Sequence, residues 1–84
     1  MSTKDAEFIV NALDYCGEEG KIYEDYSGRG MFGRKTCGVV LDNPLMAMRC
    51  TLEFIRENLE TIKAEDIPEW PTAQDNMGSQ AIIY

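Results

Sequence analysis

The residues with the clearest chemical potential lie in one short segment, SGRGMFGRK at positions 27–35. The segment carries three cations, Arg29, Arg34 and Lys35, together with three glycines and no carboxylate. Glycine-rich turns let successive backbone N–H groups converge on an anion, and an arginine guanidinium adds a planar pair of donors. The segment therefore predicts a site for an anionic ligand such as a nucleotide, or for an acidic patch on another protein. With the residue before it, the predicted site consists of Tyr26, Ser27, Gly28, Arg29, Gly30, Met31, Phe32, Gly33, Arg34 and Lys35.

Charge is segregated along the chain in a way that supports this prediction. Between positions 26 and 41 there are three cations and no acid, whereas the remaining residues include five cations and fifteen acids. A local charge of +3 thus stands against −10 elsewhere, and the net charge is −7. Met31 and Phe32 add polarizable and aromatic surface, which suits a nucleobase or an apolar partner pocket. The alternative is a solvated hairpin tip whose cations pair with acids elsewhere in the chain.

The sequence offers little for catalysis. It contains no histidine, so a general base would have to be a carboxylate, a lysine or a cysteine, and no acid–base pair is visible. Cys37 follows Arg34 and Lys35, which could activate its thiol, but an inward-facing strand cysteine is favoured. Cys16, Cys37 and Cys50 form no CxxC pair, so neither a zinc site nor a disulfide framework is expected. We predict a non-enzymatic protein without a cofactor, whose cysteines are buried apolar residues in a reducing compartment.

Length and composition indicate one small globular domain, residues 1–84. With 44% hydrophobic and 27% charged residues, the chain is too apolar for a disordered tail. Its acidity opposes direct binding to nucleic acid or to anionic lipid. No apolar run is long enough to span a membrane, and the first ten residues do not resemble a secretory signal. We therefore expect a cytoplasmic protein.

The basic segment is predicted to lie between two strands. Residues 21–27 alternate in polarity, and residues 34–42 place three apolar side chains on one face. Together they predict a hairpin with the basic segment at its tip. The C-terminal run 81–84 is rich in β-branched residues and predicts a further strand that joins this hairpin.

The N-terminal residues 2–17 are typical of a short helix. Ser2 or Thr3 can cap its start, and Gly17 can end it. Residues 7–16 also contain enough β-branched and aromatic side chains for a strand. The helix is favoured, and the strand remains as an alternative.

The strongest helix signal runs from residue 42 to residue 63. Asp42 or Asn43 provides the cap, and Pro44 occupies the first helical position. Six apolar residues then recur at alternating spacings of three and four, as in a coiled-coil seam. They are Leu45, Met48, Leu52, Ile55, Leu59 and Ile62. Packing of this seam on the sheet is favoured, and the alternative is a homo-oligomer formed through residues 44–62.

Residues 64–80 contain two prolines, a glycine and mostly polar side chains, which indicate a loop. Pro68 and Pro71 bracket Trp70, which is either a lid over the core or a contact residue. The elements together predict an α+β fold. In this fold a small antiparallel sheet, made of the hairpin plus a C-terminal strand, packs against one long helix, with a short helix at the N-terminus.

Two stretches of the chain resemble a group of short phage- and prophage-type proteins. They are YSGRGMFG at 26–33 and QDNMGSQAIIY at 74–84. The resemblance implies a setting and not a reaction: a small viral accessory protein that blunts a host defence by binding. It also implies a single site in which a second group of residues folds back beside the basic segment. These are Asp75, Asn76, Met77 and Gly78.

The sequence therefore predicts a non-enzymatic phage-type accessory protein that acts as a counter-defence binder. Its basic segment would hold a nucleotide-like anion or a host protein. The alternative is an acidic inhibitor that imitates nucleic acid and occupies a host DNA- or RNA-binding protein. The acidic residues that would imitate the nucleic acid are Glu18, Glu19, Glu24, Asp25, Glu53, Glu57, Glu60, Glu65, Asp66 and Glu69.

Overall fold

The computed structural model describes residues 1–26 and 36–84. In chain order, these residues form two α-helices, one 3₁₀ turn and four strands. They are α1 (Thr3–Tyr15), β1 (Gly20–Tyr26), β2 (Thr36–Leu41), α2 (Pro44–Glu57), the 3₁₀ turn (Ala64–Asp66), β3 (Gln74–Met77) and β4 (Gln80–Ile83). Neither helix in this part of the chain is long and apolar enough to cross a membrane.

Local signals at its two ends define α1. The Ser2 hydroxyl accepts a hydrogen bond from the Asp5 N–H at 3.1 Å, and Asp5 lies in the first turn, where the helix dipole favours an anion. Gly17 follows the helix with a φ of +78°, a conformation that few other residues adopt. Ile9 and Leu13 are buried along one side of the helix. The helix interpretation of this region is confirmed, and the strand alternative is wrong.

The four described strands join one antiparallel sheet in the order β1-β2-β4-β3. Because β2 lies between β1 and β4, Val39 pairs with Ile22 on one side and with Ile83 on the other. β3 and β4 are joined by a two-residue loop that begins at Gly78, whose φ of +64° suits a tight hairpin turn. The predicted pairing of β1 with β2, and of a C-terminal strand with this hairpin, is confirmed over the residues that the structure describes.

A single hydrophobic cluster joins the two helices to one face of the sheet. Alternate residues of β2 point into it, as the polarity pattern of that strand predicts. Its buried members are Ala6, Ile9, Leu13, Cys37, Val39, Leu41, Ala47, Cys50 and Ile83. The helices therefore hold the sheet from one side.

An aromatic contact joins α1 to α2. The Phe54 ring meets Phe8 and Tyr15 edge-on, with ring centroids 5.5 Å and 5.3 Å apart. The Tyr15 hydroxyl donates a hydrogen bond to the Glu57 carboxylate, and this bond raises the pKa of the phenol. The contact between the helices is thus apolar along its length and polar at the end of α1.

Helix α2 begins where the sequence predicts. The Asn43 side chain accepts a hydrogen bond from the Leu45 N–H at 3.0 Å, and Pro44 takes the first helical position, where its missing N–H leaves no bond unmade. Between the two predicted caps, Asp42 and Asn43, the structure therefore selects Asn43.

The end of α2 is where the sequence prediction is wrong, because the helix stops at Glu57 and does not continue to residue 63. The Asn58 side-chain amide donates to the Phe54 carbonyl at 2.9 Å. In a continuing helix the backbone N–H of residue 58 would bond that carbonyl, but it bonds the Ile55 carbonyl at 3.2 Å instead. A side chain has replaced a helical bond, which is the way in which asparagine competes with helix propagation.

The apolar seam of α2 does not pack on the sheet as predicted. Leu45 and Leu52 of α2 are 76% and 62% exposed, and Leu59, which lies beyond the end of the helix, is 65% exposed. The buried side of the helix is formed by smaller residues, among them Ala47 and Cys50. The distance between two packed helices depends on the side chains at their contact, so small residues let α2 lie close to α1.

The predicted arrangement around one long helix with a minor N-terminal helix is wrong, although the fold is α+β. α1 and α2 have 13 and 14 residues, so neither dominates, and the described sheet has four strands. The additional strand, β3, lies within residues 64–80, which the sequence predicts to be a loop. Its sequence QDNM lacks apolar alternation, and it is a strand because it pairs with β4 along its whole length.

Gly38 provides a test of the packing within the sheet. A Cβ at this position would lie 2.7 Å from two atoms of the Ile82 side chain and 3.0 Å from the Ile83 carbonyl oxygen. We expect Gly38→Ala to lower the free energy of unfolding by about 1–3 kcal/mol, because the backbone of a paired strand cannot move away. Urea unfolding followed by circular dichroism measures this change.

The control is Ser79→Ala in the exposed turn, which should change the free energy of unfolding by less than about 0.5 kcal/mol. If Gly38→Ala proved as stable as the parent chain, the close packing of Ile82 over β2 would be contradicted.

Candidate functional site

The predicted anion-binding segment, residues 27–35, lies outside the described residues, but the backbone at both of its ends is described. Tyr26 ends β1 and pairs with Thr36, which begins β2. The register of the two strands is irregular between Tyr23 and Tyr26, as at a β-bulge. The segment therefore joins the sheet at two neighbouring strands that are about 5 Å apart.

The second predicted group of site residues lies on β3 and in the turn that follows it. Asp75 pairs with Ile82, and Met77 pairs with Gln80. The Gln80 side-chain amide donates to the Asp42 carboxylate at 3.1 Å, which places Gly78 and its turn near the end of β2.

The sheet does not bring this turn close to the strand ends that carry the basic segment. The segment joins β2 at Thr36, whereas the turn lies beside Leu41 and Asp42. From Thr36 to Leu41 the strand covers about 17 Å at roughly 3.4 Å per residue. The implied single site therefore has no support from the described geometry, and Asp75 to Gly78 are separated from Tyr26 along the strands.

Other residues gather at the end of the sheet where the basic segment joins it. The amino group of Met1 donates to the Cys37 carbonyl at 3.1 Å, and the Cys37 N–H donates to the Met1 carbonyl at 3.3 Å. The Tyr84 N–H donates to the Ala73 carbonyl at 3.1 Å. The start of α1, the residue before β3 and the residue after β4 are thereby tied to the same end of the sheet as Thr36.

A groove of about 520 Å³ opens at this end. Its size lies in the range of small-molecule sites. The side chains that give it chemical character are Ser2, Asp5, Glu69, Trp70, Thr72 and Tyr84. They combine two aromatic rings with two carboxylates and three hydroxyl groups, so the groove can stack a flat ring and accept hydrogen bonds around it.

Sequence patterns did not predict this groove, because its walls come from three separate stretches of the chain. One signal was visible, namely Trp70 between two prolines. The structure leaves Trp70 36% exposed at the groove, so it is a wall of the groove and not a lid over the core.

The cysteines show little sign of reactivity. Cys37 and Cys50 are buried, as predicted, whereas Cys16 is half-buried at the end of α1. The Cys37 thiol lies 3.1 Å from the Thr3 hydroxyl. Burial, and after it the neighbouring Cys16, raises the pKa of the Cys50 thiol to about 12. Within residues 1–26 and 36–84, no three His, Cys, Asp or Glu side chains are grouped so as to hold a metal ion.

Several acids of the alternative, nucleic-acid-like surface have partners within the protein. Glu53 lies 3.5 Å from Arg49, and Asp66 lies 3.2 Å from Lys4. Glu57 accepts the hydrogen bond from Tyr15 described above. The contacts of Asp66 and Glu57 join separate elements, and the cations beside Glu53 and Asp66 partly offset the charges of those two carboxylates.

Scans against protein-family models, curated proteins and solved structures found no match to this chain. Its function is therefore inferred from its own residues and their geometry.

The buried thiols lead to a prediction about chemical modification. The thiolate is the reactive form of cysteine, so a thiol with a pKa of about 12 stays unreactive at pH 8. We expect iodoacetamide at pH 8 to modify Cys16 first and to leave Cys50 unmodified in the folded protein. Peptide mass spectrometry locates the adducts, and the same reaction in urea, where all three thiols should react, is the control.

The same shift has a consequence for stability. The pKa of Cys50 is higher in the folded protein than its ordinary value of 9.0. The stabilisation of the folded state that goes with this raised pKa is therefore fully present below pH 9 and is lost as the pH rises towards 12.

In the modification experiment, adduct formation at Cys50 as fast in buffer as in urea would contradict its burial in the folded protein.

Proposed function

We propose that this protein is a non-enzymatic binder whose basic segment, residues 27–35, holds a nucleotide-like anion or an acidic site on a host protein. The observation that carries the proposal is the segregation of charge, +3 between positions 26 and 41 against −10 in the remaining residues. An acidic chain repels anions in general, so three cations in one glycine-rich segment single out the place where an anion can bind.

The strands that flank the segment support this proposal. β1 and β2 are paired up to Tyr26 and Thr36, and β2 is buried under the helices through Cys37, Val39 and Leu41. A site whose two ends are held in place loses less conformational freedom on binding than a site on a loose chain. The paired strands β1 and β2 therefore favour binding by the segment that they flank.

The proposed setting follows from the resemblance to phage- and prophage-type proteins. In that setting the protein is an accessory factor that acts in the host cytoplasm and counters a defence by binding. The lack of histidine and the burial of Cys37 and Cys50 support a role in binding in preference to a reaction. The acidic imitation of nucleic acid remains the alternative.

Charge reversal separates the two functions. We expect Arg29→Glu with Arg34→Glu to weaken nucleotide binding by at least tenfold for each arginine, because a charge-assisted hydrogen bond contributes about 1.5–3 kcal/mol. Titration calorimetry against a panel of linear and cyclic nucleotides measures this effect. The matched control is Lys21→Glu with Lys63→Glu, which makes the same change in net charge at two exposed positions.

Equal losses from both pairs would show that only net charge matters and would refute a specific site. If both pairs were silent, while Glu18→Gln with Glu19→Gln abolished inhibition of a nucleic-acid-binding protein, the acidic alternative would replace the proposal.

We also propose that a second copy of the chain covers the exposed seam of α2. Leu45, Met48 and Leu52 recur on α2 at spacings of three and four, the pattern by which helices pair, and all three are exposed. Within Pro44–Glu57 the two cations Arg49 and Arg56 balance Glu53 and Glu57, so this helix is neutral in a chain with a net charge of −7. Two copies can therefore approach along α2 with less repulsion than along the rest of the surface.

The homo-oligomer is tested by Leu52→Glu. We expect it to weaken self-association by at least tenfold, because burying an exposed leucine contributes about 1.5–3 kcal/mol and a symmetric dimer contains two copies. Light scattering after size-exclusion chromatography, over a range of concentrations, measures the mass. Thr61→Glu adds the same charge at an exposed position off the seam and serves as the control. A wild-type chain that stays monomeric at the highest concentration would refute the interface.

A further inference from the structure

The groove at the end of the sheet has a chemistry opposite to that of the basic segment. Asp5 and Glu69 supply carboxylates, which accept hydrogen bonds and repel anions. Trp70, which is 36% exposed, and Tyr84 supply flat aromatic rings to the lining of the groove. The two carboxylates outnumber the single Met1 amino group, which is bonded to the Cys37 carbonyl. The groove therefore suits a flat, uncharged group that carries hydrogen-bond donors, and it disfavours a phosphate or a carboxylate.

The walls of the groove are held in place by contacts that do not involve a ligand. The Tyr84 backbone is tied to Ala73, and its hydroxyl lies 3.5 Å from the Asp75 carboxylate. Pro68 and Pro71 restrict the backbone on both sides of Trp70. A stacking surface that is already ordered costs little conformational entropy when a ligand binds.

The groove also lies close to the start of β2. Met1 lines it and is bonded through its backbone to Cys37, the residue after Thr36, where the basic segment joins the sheet. The groove and the point where the basic segment joins β2 thus lie at the same end of the sheet, and their chemistries suit a ligand with a neutral aromatic part and an anionic part. Nucleotides have this composition.

We propose that the groove binds the base of a nucleotide, stacked on Trp70, and that guanine is the base it fits best. Guanine presents an N1–H and a 2-amino group side by side, and these two donors match the two oxygens of a carboxylate such as Glu69. Uracil offers a single ring N–H and no amino group. This inference rests on the proposed function for the anionic part of the ligand, but the groove itself recognises only the base.

The test uses nucleosides, which have a base and no phosphate. Trp70 is the single tryptophan of the chain, so its fluorescence reports on the groove directly. We expect guanosine to quench this fluorescence saturably. Inosine lacks the 2-amino group and should bind about tenfold more weakly than guanosine. Uridine should bind more weakly than inosine. Free N-acetyltryptophanamide, titrated in parallel, corrects for absorption by the nucleosides.

Variants of the groove residues distinguish recognition from a structural role. Trp70→Ala should weaken guanosine binding, measured by calorimetry, by about 5- to 100-fold, and Trp70→Phe should retain part of the affinity. Glu69→Gln should remove the preference for guanosine over inosine, a readout that a merely destabilised protein would not change selectively. Thermal unfolding of each variant confirms that it is folded.

Comparison of guanosine with its 5′-monophosphate separates this inference from the proposed function. Both are supported if the monophosphate binds at least tenfold more tightly and if Arg29→Glu with Arg34→Glu removes only that gain. If guanosine does not bind, or if Trp70→Ala binds it as tightly as the parent chain, the groove proposal is overturned, even where monophosphate binding still requires Arg29. If guanosine binds but the phosphate adds no affinity and the arginine changes are silent, the groove proposal stands and the basic segment is not the anion site.

Discussion

Strand β2 is the constraint on which the rest of the structure depends. Its backbone is paired with β1 on one side and with β4 on the other, and Cys37 is also bonded to Met1. Its side chains Cys37, Val39 and Leu41 lie under the helices, so a shift in register by one residue would expose all three and bury their neighbours. The register in turn determines where the basic segment joins the sheet and where the walls of the groove meet.

Features of the sequence that act over a few residues predicted the structure well. The Ser2 cap, the Asn43–Pro44 start of α2 and the alternation of β2 each depend on contacts within one turn or one strand. The charge of the basic segment could also be seen in the sequence, because clustering of cations needs no fold to become visible. The caps and the alternation were predicted correctly because their physical cause lies close to the residue, whereas the ligand of the basic segment stays a prediction.

Features that depend on distant residues were not predictable in this way. Apolar residues lie on more than one side of α2, and packing against the core decides that Ala47 and Cys50 are buried while Leu45 and Leu52 are exposed. β3 is polar and becomes a strand through its pairing with β4. The groove has walls from the two ends of the chain and from the stretch around Trp70, so no local pattern could reveal it.

The composition of the outermost strands has a consequence for aggregation. β1 and β3 form the two margins of the sheet, and both expose polar or charged side chains, with Lys21 and Glu24 on β1 and Gln74 and Asn76 on β3. β3 is also only four residues long. Short or charged marginal strands give an incoming strand few backbone partners and an unfavourable electrostatic environment. The β-branched central strands are thereby kept from seeding cross-β stacking between molecules.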